Sequence, residues 1–310
     1  MKDNLAPHHD VQAMNDATYS RRKSVLLLHL AVFMAGFTGL FGKLITLNEV
    51  DLTFYRCSFS FLILLVFVGI PRVSWRKLLA ILCCGALQGV HWMLFYGSIK
   101  ASNVSIGVVC YALVGFFTAF IEPLVFHKKI SFTELLLSAL TLLGLVFIFS
   151  FDTRYQVGIV IGVASSLIAA IYITLNKRFS EGVRTRNFLF YQMLGGTLAM
   201  LFIRPIYLTL AGIHEPSVVV PSDSDLWWLL ALSLFFTVGA YMLQLLSLHK
   251  LSAFTVNLTY NLEPVYSIAM AFLFFGEARQ LNFSFYVGLF LVFLSVILQT
   301  ARSLRVKQQS

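Results

Sequence analysis

Charge is scarce in this chain of 310 residues: Asp, Glu, Lys and Arg make up 12% of it, against 58% hydrophobic residues. A soluble domain of this size carries about twice that share of charge, which excludes an ordinary soluble fold. Cysteine is sparse too. Cys57, Cys83, Cys84 and Cys110 all fall inside apolar segments, so they read as small hydrophobes rather than a disulfide framework or a zinc site. The first 20 residues lack an apolar run and hold Lys2, Asp3, His8, His9, Asp10 and Asp16. The first apolar run, after Arg21-Arg22-Lys23, has full spanning length and reads as a retained span, with no cleaved secretory leader expected. No Gly-rich loop ending in Gly-Lys-Ser/Thr occurs and no His-Glu-x-x-His, so ATP hydrolysis and zinc-protease chemistry have no sequence support. No cofactor and no metal are expected.

What the chain has instead is lipid-compatible surface. Mean hydropathy is +0.82, and 30 phenylalanines suit an exterior facing hydrocarbon. Ten apolar segments of about 19 to 24 residues are long enough to cross ~30 Å of bilayer as helices. They lie near 25–47, 52–70, 77–99, 103–126, 133–151, 155–177, 188–210, 226–248, 254–275 and 283–302. The longest link, Ala211 to Asp225, contains Pro216 and Pro221, and no extramembrane domain has room to fold. With the N-terminus in the cytoplasm, 17 of the 23 basic residues fall on the cytoplasmic side, among them Arg21, Arg22, Lys23, Arg72, Arg76, Lys77, Lys128, Lys129, Arg184 and Arg186. Only Lys100, Arg154, Arg204 and Arg279 fall opposite, with Lys43 and Arg56 inside spans. The positive-inside rule therefore predicts cytoplasmic termini. It also explains the net charge of +9, which is topological and no sign of nucleic-acid binding.

The chain repeats itself. Phe54-Tyr55-Arg56 returns as Phe190-Tyr191-Gln192. Each follows a span ending in lysine, Lys43 or Lys177. Lys100-Ala101-Ser102 matches Lys250-Leu251-Ser252, and Tyr111 matches Tyr260. The common order of these matches points to one five-span unit used twice. Because five is odd, the second copy is expected to lie inverted. The predicted fold is an all-α polytopic membrane protein of two inverted five-helix repeats, residues 25–151 and 155–302, flanked by cytoplasmic tails 1–24 and 303–310.

A more specific likeness rests on Leu262-Glu263-Pro264-Val265-Tyr266, on Leu273-Phe274-Phe275-Gly276-Glu277 and on Gly288 in the last span. These stretches resemble the second-half signature of EamA-type, ten-span permeases of the drug/metabolite transporter superfamily. Arg56 stands where such proteins often carry an arginine early in the second span. The likeness covers residues 25–302. The first half departs from it: Val114-Gly115 replaces Glu-Pro, and His127-Lys128 replaces Gly-Glu. The resemblance implies export of small metabolites such as amino acids through a central cavity between the repeats.

Polar residues inside spans are costly and mark candidate positions on such a path. Glu263, about ten residues into the ninth span, shares a helical stripe with Thr259, Tyr260, Tyr266 and Ser267. Pro264 there removes an N–H and frees the carbonyl of Tyr260, which suits a solute or ion site and equally a structural kink. Gln88, His91, Trp92 and Phe95 share a face of the third span. Thr237, Tyr241 and Gln244 share one on the eighth, His91 aligning with Tyr241. Both sets fit stacking and hydrogen bonding to an amphipathic solute, and both fit interhelical hydrogen bonding. Tyr111, Gly115, Thr118 and Glu122 run down the fourth span, with a gating or structural role for Glu122. On the sixth, Tyr172 and Asn176 are the candidates. Lys43 and Arg56 are expected near the outer surface, snorkelling or pairing with Glu49 or Asp51, and Arg56 is placed where an outer gate or an anionic group of the solute could use it.

Together these readings predict a secondary exporter of small organic solutes working by alternating access, with Glu263 as the candidate proton carrier. Its expected partners are the solute and the bilayer, as monomer or homodimer, in a bacterial inner membrane. A non-transporting sensor or scaffold is the alternative, and an intramembrane enzyme the least supported one.

Overall fold

A long apolar segment in a membrane satisfies its own backbone only as a helix, and helices account for the regular structure described. The computed structural model describes residues 21–127, 129–149, 155–212, 219–248, 250–260 and 262–306, with no strand among them. In the first half, α1 (Arg21–Leu44), α2 (Glu49–Val68) and α3 (Trp75–Ala101) are unbroken, and α4 (Val104–Tyr111), α5 (Leu113–Phe126) and α6 (Phe132–Phe149) follow. In the second half, α7 (Gln156–Phe179) and α8 (Thr185–Ala211) precede α9 (Asp223–Ala231), a π-helical segment (Leu232–Gly239) and α10 (Ala240–Leu248). Then come α11 (Ala253–Tyr260), α12 (Glu263–Phe275), a 3₁₀ turn (Glu277–Gln280) and α13 (Phe283–Val306). Among the described residues seven helical stretches are long and apolar enough to cross a membrane; Leu135–Gly144, Glu263–Phe275 and Phe283–Ser295 are shorter apolar ones.

The surface is inverted relative to a soluble protein. Val66, Phe67, Leu210, Leu273 and Phe283 are among the most exposed side chains, while Arg56, Gln88, His91, Gln192, Glu263 and Glu277 are buried. Apolar outside and polar inside is the arrangement of a protein solvated by lipid.

Three features depart from the expected run of continuous spans. The fourth span breaks at Ala112, whose N–H turns back to Val109 O at 3.1 Å. The segment expected as the ninth span ends its first helix at Tyr260 and begins another at Glu263, with Pro264 in the first turn of α12. Pro264 thus begins a helix instead of kinking one, which is where its missing N–H costs least. The eighth span contains the π segment, where the Thr237 hydroxyl donates to Leu232 O, five residues back, at 2.8 Å.

The equivalent helices of the two halves run antiparallel. Phe61 stacks near Phe190, Cys57 faces Gly196, and Asp51 binds Arg204, so α8 descends as α2 ascends. Thr141 Oγ1 donates to Ser295 Oγ at 2.8 Å, with Gly144 against Gly288, in the same sense. Likewise α4 packs on α12 and α5 on α11. The tightest crossing is α3 with α8. A Cβ on Gly85 would lie 2.0 Å from Gln192 O, and one on Gly195 2.3 Å from Leu82 O. Only glycine lets these backbones approach so closely, the role small residues play between membrane helices.

Candidate functional site

The two broken spans meet the third and eighth spans around a cavity with about 370 Å³ of unfilled space, its open side included. The first half supplies Ala35, Thr38, Arg56, His91, Trp92, Phe95 and Tyr111; the second supplies Phe236, Ala240, Tyr241, Tyr260 and Glu263. The breaks explain the local geometry. Tyr111 is the last residue of α4 and Tyr260 the last of α11, so both halves end a helix on a tyrosine at the cavity wall. Glu263 opens α12, where unsatisfied N–H groups favour a carboxylate. It is 4% exposed, yet it makes no hydrogen bond or ion pair with any described residue.

Arg56 is held as firmly as Glu263 is free. Its Nε donates to Thr237 Oγ1 at 2.8 Å and its Nη1 to Tyr96 OH at 2.6 Å. Its guanidinium lies 3.6 Å from the centre of the Trp92 ring, a cation–π contact strengthened by burial. The π segment is what brings Thr237 to it. Trp92 Nε1 donates to Tyr241 OH at 3.0 Å, and Tyr241 OH lies 3.2 Å from Tyr172 OH. His91 Nδ1 lies 2.8 Å from Ser165 Oγ and 3.1 Å from Ser165 O. A carbonyl can only accept, so that contact is satisfied when Nδ1 carries the proton, which leaves Nε2 an acceptor. The His91 ring packs between Tyr111 and Tyr172, centroids 5.3 and 5.5 Å away.

Of the residues singled out from sequence, the structure brings Glu263, Tyr260, His91, Trp92, Tyr111, Tyr241 and Arg56 to this one cavity. Tyr172 stands behind it, touching Tyr241. Gln88 approaches the Tyr241 hydroxyl but closes no well-formed hydrogen bond. Gln244 is buried one helical turn beyond Tyr241, off the cavity, with its carbonyl oxygen unbonded. Asn176 is also off it, accepting from Gln192 Nε2 at 3.0 Å. Glu122 is buried toward the end of α5 and does not line the cavity.

The charge pairs differ from those expected. Arg56 lies against Trp92 instead of near the outer surface, because α2 begins at Glu49 and places it two turns in. Asp51 binds Arg204, Nε to Oδ1 at 2.5 Å and Nη2 to Oδ2 at 3.2 Å. Glu49 accepts from Tyr207 OH. Lys43 pairs with Glu277 at 3.3 Å, since the left-handed Gly276 (φ 64°) ends α12 and turns the chain back toward α4. Glu277 is wholly buried and accepts from Val104 N at 3.3 Å, Ser105 N at 3.1 Å and Ser105 Oγ at 2.7 Å. It thereby caps the N-terminus of α4. Asp225 accepts from Thr46 N at 2.8 Å and Thr46 Oγ1 at 2.6 Å. All these bonds cross between the halves at the end of the bundle away from Arg21. Sequence reasoning did not assign Tyr96, Ser165, Arg204, Asp225 or Glu277; of these, Ser165, at helical spacing with Tyr172 and Asn176, and Glu277, inside the Gly276-Glu277 signature, carried a signal.

A profile of the EamA-like transporter family matches residues 22–150 and 156–301, one copy on each half. The chain belongs to the EamA-like transporter family. That places it in the drug/metabolite transporter superfamily and makes it an integral membrane protein of a transporter family. No curated protein matches it in sequence. A solved structure titled "Crystal structure of protein" is similar, with a TM-score of 0.65 and 17% identity over 89% of this chain and 97% of that one. At that identity it shows the fold alone.

Proposed function

We propose that this EamA-like protein is a ten-span secondary transporter of two inverted repeats. It exports small organic solutes, amino acids or related amphipathic molecules, by alternating access around the cavity. The antiparallel packing of α2 on α8 and α6 on α13 supports inversion. The three shorter apolar helices complete the count of ten together with the seven long ones. The bias of basic residues supports cytoplasmic termini, and a bacterial inner membrane suits this topology.

The observation that carries the reading is that groups of opposite charge border one cavity between the halves, with no ion pair for Glu263 or Arg56 among the described residues. Leaving charge unneutralised in a membrane interior is costly and is retained where a solute or proton uses it. On this topology the Lys43–Glu277, Asp51–Arg204 and Thr46–Asp225 contacts seal the periplasmic end. Opening that seal while the cytoplasmic end closes would carry solute outward. Glu263 can bind and release a proton at the cavity and so couple the cycle to a pH gradient. In proteoliposomes, an imposed pH gradient should drive exchange of an amino-acid mixture by the wild type, and Glu263→Gln should abolish the effect of the gradient. Unchanged rate and pH dependence in Glu263→Gln would remove the proton role.

A further inference from the structure

We propose that the cavity selects its solute by a carboxylate, and that Arg56 is the group that reads it. The inference rests on the transport reading above and adds the chemistry that recognition requires. Among the described residues Arg56 is the one lysine or arginine bordering the cavity, and it is 1% exposed. Elsewhere the chain closes its buried charges: Arg204 binds Asp51 and Lys43 binds Glu277. Among the described residues Arg56 has no carboxylate within ion-pair distance.

Its neutral partners fix it without satisfying it. Thr237 takes Nε, Tyr96 takes one hydrogen of Nη1, and Trp92 covers one face. Trp92 is itself anchored by Tyr241. Nη2 has no hydrogen bond with any described residue. One hydrogen of Nη1 and both of Nη2 therefore remain to donate, and a guanidinium presenting several N–H groups is what a carboxylate accepts. A guanidinium held by three side chains before the solute arrives loses little entropy when it binds. Glu263 borders the same space without touching Arg56. A solute carboxylate on Arg56 can thus coexist with a protonated Glu263 or with an amine held by Glu263. An organic acid and an amino acid share the carboxylate, and the test separates them.

The full-length protein is reconstituted into liposomes and assayed by counterflow with isotopically labelled sets, each built on one side chain. Each set holds the amino acid, its amide, its decarboxylated amine and its deaminated acid, with aromatic and aliphatic side chains represented. The expected result is at least tenfold greater uptake of carboxylate-bearing members than of the amide and amine of the same set. If the deaminated acid moves as well as the amino acid, the carboxylate alone suffices; if only the amino acid moves, the solute is a zwitterion. Arg56→Gln should lower that uptake at least tenfold, and Arg56→Lys should recover part of it. Preference for amides or amines, or full uptake by Arg56→Gln, overturns the carboxylate inference while leaving transport standing. A wild type that moves no member of any set overturns both.

A measurement on the wild type guards against a misfolded variant. The transported carboxylate should protect Arg56 from 2,3-butanedione, read by peptide mass spectrometry, and its amide should not. Equal protection by both, or by neither, overturns the inference.

Discussion

Glu263 and Asp51 are two buried carboxylates with opposite circumstances, and substitutions separate them. Asp51 is bonded to the Arg204 guanidinium by two of its nitrogens. Removing one partner of such a buried pair takes away the carboxylate that balances the guanidinium, so Asp51→Asn should destabilise by about 3–5 kcal/mol. Thermal unfolding in detergent checks this. Glu263 has no hydrogen bond to lose, so Glu263→Gln should leave stability within about 1 kcal/mol while changing transport. Gly85 gives a third contrast, with Gln192 O 2.0 Å from an added Cβ. Gly85→Ala forces two backbones apart and should cost about 1–3 kcal/mol. Gly239→Ala meets the flexible end of Met34 at 3.3 Å and Leu234 O at an ordinary 3.7 Å, and should unfold like the wild type. At this scale, residue type was legible and depth was not. His91, Trp92 and Tyr241 stand on predicted helical faces that meet at the cavity. Arg56 was misplaced because counting from an apolar boundary does not tell where α2 begins, and the Asn48 cap puts that start at Glu49.

Among elements, irregularity clusters at the cavity. The breaks after Tyr111 and Tyr260 and the π segment at Leu232–Gly239 all border it, and such interruptions place side chains that a continuous helix would turn away. Pro264 announced one break in the sequence, but the matching break at Ala112 has no proline to mark it. The π segment left no sequence signal, because a single hydroxyl bonding five residues back looks like any threonine. Glu277 governs another element: it caps α4 and holds Lys43 at the end of α1. Glu277→Gln keeps the size and loses the charge, and helix-terminal charges of this kind contribute up to about 2 kcal/mol. The expected outcome is a looser end of the bundle. A cysteine introduced at Thr38 on the cavity wall should then react faster with a membrane-impermeant maleimide than in the Glu277-intact protein. An unchanged rate would show that the contact caps a helix without closing a path.

For the whole molecule, duplication is the organising fact, and it was legible because lysines, tyrosines and the Phe-Tyr pair recur in order. The contacts joining the copies were not legible: Asp51 and Arg204 stand 153 residues apart and Lys43 and Glu277 234, separations over which no local pattern acts. The copies are unequal around the cavity. Arg56 corresponds to Gln192 and Glu263 to Val114, so charge enters the cavity from one site in each half by unrelated routes. The central claim is that the two ends of this cavity open in alternation, and the contact between Thr46 and Asp225 allows it to be tested. Cysteines at those two positions, joined by a short thiol cross-linker, should hold one end closed. In proteoliposomes the joined protein should carry no solute, and a cysteine at Thr38 should be labelled from the cytoplasmic face alone, both effects reversing when the link is cut. Transport by the linked protein, or labelling of Thr38→Cys from the sealed side, would contradict alternating access through this cavity.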